Sequence, residues 1–196
     1  MLGRLESLAL RKYEAILPLL ATPDKKAVVS VLASVRDDGS VESTPLDQPV
    51  EELLNAASSS DRTDTLFIQG FVLERLGQVI YRKLAAHPAV SNSTRAAAEI
   101  GCAACTAIIG RTNDLIRQAV GEGEVVFDRF CMAADAVLRR LDGLGTSVDS
   151  MFGRRFGLTF TELIGEFTAE LLPACTDLGM NRRKLVCHLA GVFMGG

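Results

Sequence analysis

Two cysteines separated by two residues, Cys102 and Cys105, have the spacing that redox and zinc sites use. A redox pair of this kind sits at a helix N-terminus, where the dipole lowers a thiol pKa. Here the pair lies well inside an alanine-rich helical pattern, which points to small core residues. A zinc site needs two further ligands, and Cys131, Cys175, Cys187 and His188 follow no ligand spacing. No metal or cofactor is expected.

The histidines are His87 and His188. His87 falls near a helix C-terminus, where positive charge is favourable, and His188 falls in an apolar segment. No serine or cysteine is tied to either by a motif, so a nucleophilic triad is not expected. Glu162, Glu166 and Glu170 form an i, i+4, i+8 stripe. Paired carboxylates of bundle metal sites come with a Glu-x-x-His pair. That pair is missing from the sequence, so the stripe reads as a solvated helix face. Asn113-Asp114 with Glu122 resembles a magnesium-binding motif of terpene cyclases. It departs from that motif at Arg117 and in the register of the last acid, and no such site is expected.

Asn181-Arg182-Arg183-Lys184 is the candidate anion-binding or nucleic-acid-binding site. Three cations crowd a first helical turn, where the macrodipole disfavours positive charge. Free N–H groups at such a turn suit a phosphate or carboxylate. The alternative is a solvated basic patch answering the glutamate stripe. The run Leu178-Gly179-Met180-Asn181-Arg182-Arg183-Lys184-Leu185 resembles the recognition element of Fis-like DNA-binding domains. That resemblance implies a helix-turn-helix over about 160–193. It departs at Pro173 and in the apolar stretch Val186 to Met194, where phosphate-contacting residues would be needed. Arg139-Arg140 and Arg154-Arg155 are further basic pairs.

The elements that must position these residues read as helices. The chain has 196 residues, 48% of them hydrophobic, and a net charge of −3. It fits one domain with a sizeable core and is not polybasic. No run reaches the ~20 apolar residues of a membrane-spanning helix. The start lacks a signal-peptide layout, and an odd cysteine count of five suits a reducing compartment, so a cytoplasmic location is expected.

The expected fold is all-α: a helical bundle of about six to eight helices built round an antiparallel hairpin, 63–86 and 93–120. Residues 1–58 read as an N-terminal helical appendage and 62–196 as the main bundle of a single domain, with Ser58-Ser59-Ser60-Asp61 as the linker. Residues 27–44 fit a helix or a hairpin of strands. In the helical hairpin, a fold about residue 89 sets Gly77 opposite Gly101 and Gly70 opposite Ile108. A helix over Val125 to Leu141 turns Val126, Phe130, Ala133, Val137 and Leu141 inward. Thr159 to Glu162 is a capping box, Pro173 should kink or break its helix, and Gly179 stops it.

These features predict a non-enzymatic binding or regulatory protein that acts through protein–protein contacts, with a protein partner or a homo-oligomer. The segment Ala190 to Gly196 is the expected edge. The competing readings are a DNA-binding regulator using about 160–193, and a small-molecule sensor or enzyme with a pocket between helices.

Overall fold

The structure, a computed structural model, describes residues 61–90, 92–141, 145, 149 and 159–194. The expected appendage 1–58, the 27–44 ambiguity, Arg154-Arg155 and the chain end at Gly195-Gly196 lie outside the described residues. Among the described residues there is helix and no strand. No described helix is long and apolar enough to cross a membrane.

Asp61 starts the first helix, α1 (Arg62–Thr65): its Oδ1 accepts from the Thr63 and Asp64 N–H groups at 2.7 and 3.1 Å. The chain then widens into a π-helix, Leu66–Leu73, before narrowing into α2 (Glu74–Ala86). The Glu74 N–H reaches Gln69 O, five residues back instead of four. All eight residues of the π segment are buried. A helix apolar all round must be enclosed all round, and this one touches α3 (Asn92–Ala119) and α4 (Glu124–Leu141). Phe67, Phe71 and Phe130 meet edge to face there, with centroids 6.1 to 6.3 Å apart. That geometry suits the aromatic quadrupole.

Two glycines of the hairpin lie against side chains of the facing helix. A Cβ on Gly101 would lie 2.9 Å from the Tyr81 ring, and one on Gly70 would lie 2.4 Å from Thr112 Oγ1. Gly101 therefore lies beneath the Tyr81 ring, and Gly70 lies against Thr112. Tyr81 needs a residue without a Cβ beneath its ring, and Gly101 provides the space. Gln78 Nε2 donates to Thr106 Oγ1 at 2.7 Å along the same seam.

On α4 the inward residues are as the periodicity predicts: Val126, Phe130, Ala133, Val137 and Leu141 are all buried. Arg129 ties this helix to the start of α1, with Nη2 2.8 Å from Asp61 and 3.0 Å from Asp64.

Helix α5 (Phe160–Asp177) opens on the expected capping box. Thr159 Oγ1 accepts from Glu162 N at 3.2 Å, and Thr159 N donates back to Glu162 Oε2 at 3.0 Å. Pro173 does not break the helix, which runs on to Asp177 with the proline exposed. Leu163, Phe167, Leu171 and Cys175 face the core. Gly179 ends the turn with φ +77, a conformation an L side chain resists, and a Cβ there would meet Gly123 N at 2.9 Å. Helix α6 (Arg182–Met194) follows.

The capping box makes a testable link to pH. Hydrogen bonding from Thr159 N holds the Glu162 carboxyl below its ordinary 4.5. A lowered carboxylate stabilises the fold above its unfolded-state pKa, and that contribution is lost as pH falls through the folded-state value. The thermal midpoint of the wild-type chain should exceed that of Glu162→Ala at pH 7. The gap should narrow as pH is taken down through and below 4.5. A gap constant from pH 7 to pH 3 would count against this role of the carboxylate.

Candidate functional site

The predicted anion site is well formed as a helix start. Asn181 Oδ1 accepts from Arg183 N at 3.0 Å and from Lys184 N at 3.1 Å. Asn181 O also accepts from Leu185 N at 3.0 Å. The N–H groups that an anion would use at residues 183 and 184 are thus held by the protein's own cap. Lys184 Nζ lies 2.6 Å from Glu124 on α4, and this pairing raises the lysine pKa. Arg182 and Arg183 are exposed. Of the four predicted residues, one caps, one bridges to α4, and two present their charge to solvent.

The glutamate stripe has partners other than that basic turn. Glu166 pairs with Lys83 and with Arg82, the latter at 3.4 Å, and Glu170 pairs with Arg82. The stripe is therefore a seam between α5 and α2 instead of a purely solvated face. The Lys83 hydrogen bond holds Glu166 below the ordinary carboxylate range. A carboxylate lowered in this way is a poor general acid at neutral pH.

The acids of the Asn113-Asp114 region are also engaged. Arg117 lies 3.5 Å from Asp114 and 3.6 Å from Glu122, and it donates to Asp177 O at 3.1 Å. Asn113 Oδ1 accepts from Arg75 at 3.2 Å.

All five cysteines are free. Cys102 is half-buried and Cys105 buried, both inside α3. Burial pushes the Cys175 thiol up to about 12, and burial with Asp135 and Asp128 nearby pushes Cys131 up to about 11. Both stay protonated at neutral pH, which blunts nucleophilic and metal-binding chemistry. Among the described residues, no group of three His, Cys, Asp or Glu side chains could hold a metal.

His188 is the residue whose surroundings the sequence hid. Its Nε2 lies 2.6 Å from Asp135 Oδ1, and its ring meets Phe127 edge-on with centroids 6.0 Å apart. Asp135 also receives Arg139 at 3.8 Å. The partners of His188 are on α4, Asp135 among them 53 residues away in sequence, and no local motif could announce them. His87 Nδ1 accepts from Ala89 N at 3.2 Å, and Arg95 donates to His87 O at 3.2 Å; this closes the α2–α3 connection.

With the polar groups so engaged, the outward side of α4 stands apart. Val125 is 62% exposed and Met132 is 76% exposed. Seven residues apart on a helix, they share one face. Ala136 is exposed on the same side, flanked by exposed Asp128 and Arg139. The α5–α6 connection is the other organised surface. Leu178, Met180, Leu185 and Leu189 are buried under it, and Val186, Cys187, Ala190 and Gly191 are exposed along α6. Comparison of the chain with protein-family models, with curated proteins and with solved structures finds no match.

Proposed function

We propose that this chain is a non-enzymatic binding or regulatory protein that acts through protein–protein contacts made by helix surfaces. The carrying observation is the exposed apolar ridge Val125, Met132 and Ala136 on α4. A lone exposed apolar side chain is ordinary. Two large ones in register on a helix whose other faces are packed support a surface meant to be covered. The pairing of carboxylates with cations, and the raised thiols, favour binding over chemistry. The same reading keeps 62–196 as one bundle with 1–58 as an appendage. It puts the protein in the cytoplasm, on the strength of five unbridged cysteines.

The test compares the wild-type chain with Met132→Glu, both at native helix content by circular dichroism. Each is used as bait under identical conditions, and self-association is scored with other partners. A partner lost from the variant supports the reading. Identical sets of partners, self included, would overturn it.

A DNA-binding regulator is the second reading. It is favoured by the helix–turn–helix of α5 and α6, with Gly179 at φ +77 in the turn and Arg182 and Arg183 exposed on the second helix. DNA binding should then weaken steeply with salt and vanish in Arg182→Glu/Arg183→Glu. Absent or salt-insensitive binding would remove it.

A further inference from the structure

The charges that flank the α4 ridge run in opposite senses along it. Glu124 and Asp128 lie at its N-terminal end, Arg139 and Arg140 at its C-terminal end, and all four are exposed. Such a helix face complements itself when turned end over end. We propose that α4 packs antiparallel against α4 of a second copy of this chain, about a two-fold axis passing between Met132 and Ala136. The proposal rests on the protein–protein reading above and names the partner.

Asp128 and Arg139 are eleven residues apart, about 16 Å along the axis at 1.5 Å per residue. A two-fold axis midway sets each Asp128 opposite the Arg139 of the other copy. Met132 of each copy then lies over Ala136 of the other, a large side chain on a small one. A parallel arrangement would set acid against acid and Arg against Arg. The antiparallel one also opposes the two helix dipoles favourably.

Both charges are available. Asp128 has no ion pair among the described residues, and Arg139 has only the long 3.8 Å contact to Asp135, whose carboxylate already holds His188 at 2.6 Å. The neighbouring α6, tied to α4 through Lys184–Glu124 and His188–Asp135, exposes Val186 and the smaller Cys187, Ala190 and Gly191. An isologous contact of this kind closes as a dimer. One helix face per copy puts it in the small, concentration-dependent class.

The experiment is sedimentation equilibrium of the full chain across the micromolar range. The wild-type mass should rise from 21.0 kDa toward twice that value. Met132→Glu should raise the dissociation constant by about 30-fold or more, as removal of a central anchor does. Asp128→Arg and Arg139→Asp should each weaken the dimer by roughly 10-fold, and the double charge swap should restore it. These side chains are exposed, so helix content should not change. A chain monomeric throughout, or a dimer indifferent to all three substitutions, would overturn the proposal. If the chain is monomeric while Met132→Glu still loses another protein partner, the binding reading survives and the second copy does not.

Discussion

Gly70→Leu should destabilise the protein by about 3 kcal/mol or more, lowering the thermal midpoint by roughly 10 °C. Even the first carbon of any side chain is refused. A Cβ at Gly70 would stand 2.4 Å from Thr112 Oγ1, 2.9 Å from its Cγ2 and 3.2 Å from its Cβ. The obstacle is not a flexible tip. Thr112 is buried, and a β-branched side chain in a helix has little rotamer freedom with which to retreat. Relief must come from parting the π segment and α3, which exposes the packed seam between them.

Gly70→Ala separates the terms. Alanine gains about 1 kcal/mol of helix propensity over glycine, whereas overpacking costs about 1–3 kcal/mol. A net loss of about 1 kcal/mol is expected. Thr112→Ala removes Oγ1 and Cγ2 and leaves only the Cβ contact. The double variant Gly70→Ala/Thr112→Ala should therefore be more stable than the sum of its singles predicts, with a coupling of about 1–3 kcal/mol. Urea titrations of the four proteins measure it. Additive singles, or a harmless Gly70→Leu, would show that this crossing is loose.

The sequence made the buried faces readable more completely than the way they meet. The stripe Val126 to Leu141 depends only on helical period, and it is buried as predicted. The capping box at Thr159 and the stop at Gly179 are local hydrogen-bond and dihedral chemistry, and they too are where the residues put them. Axial register is a different quantity. A repeat of threes and fours fits equally well after a slide of one turn, so helical period alone leaves the offset open.

The π segment had no readable signal. Its sequence, Leu66 to Leu73, is an apolar run interrupted by Gln69 and Gly70, a pattern that fits an ordinary buried helix equally well. At the candidate site, Asn181 was legible as a cap. A cap that uses its own carbonyl on the N–H groups of 183 and 184 also competes with an outside anion, a consequence implicit in the residue type. Glu124 as the partner of Lys184, and Asp135 as the partner of His188, depend on the docking of α6 on α4 and could not be read from spacing.

Arg75→Ala should cost about 3 kcal/mol, and Arg75→Lys should recover little of it. Arg75 is buried, and its removal from water lowers its pKa to about 10. That is still three units above neutrality, so the buried group carries its charge. A bare buried cation would be prohibitive, and three contacts offset the desolvation. Nη1 donates to Phe71 O at 2.7 Å, Nη2 donates to Asn113 Oδ1 at 3.2 Å, and the guanidinium carbon stands 3.9 Å above the Phe71 ring.

These contacts join the π segment to α2 and α3 at one point. They need a planar fork that can stack on a ring while donating in two directions, which an ammonium does not reproduce. Alanine removes the charge but leaves a cavity, and it takes away the hydrogen bonds to Phe71 O and to the half-buried Asn113 amide. Arg75→Met fills most of the volume without the charge, and it should cost less than Arg75→Ala, because a well-packed apolar replacement of a buried ion avoids desolvation. The expected order of thermal midpoints is wild type at or near Arg75→Met, then Arg75→Lys, then Arg75→Ala. Lysine at or above wild type would show that charge alone, and not the fork, holds this junction together.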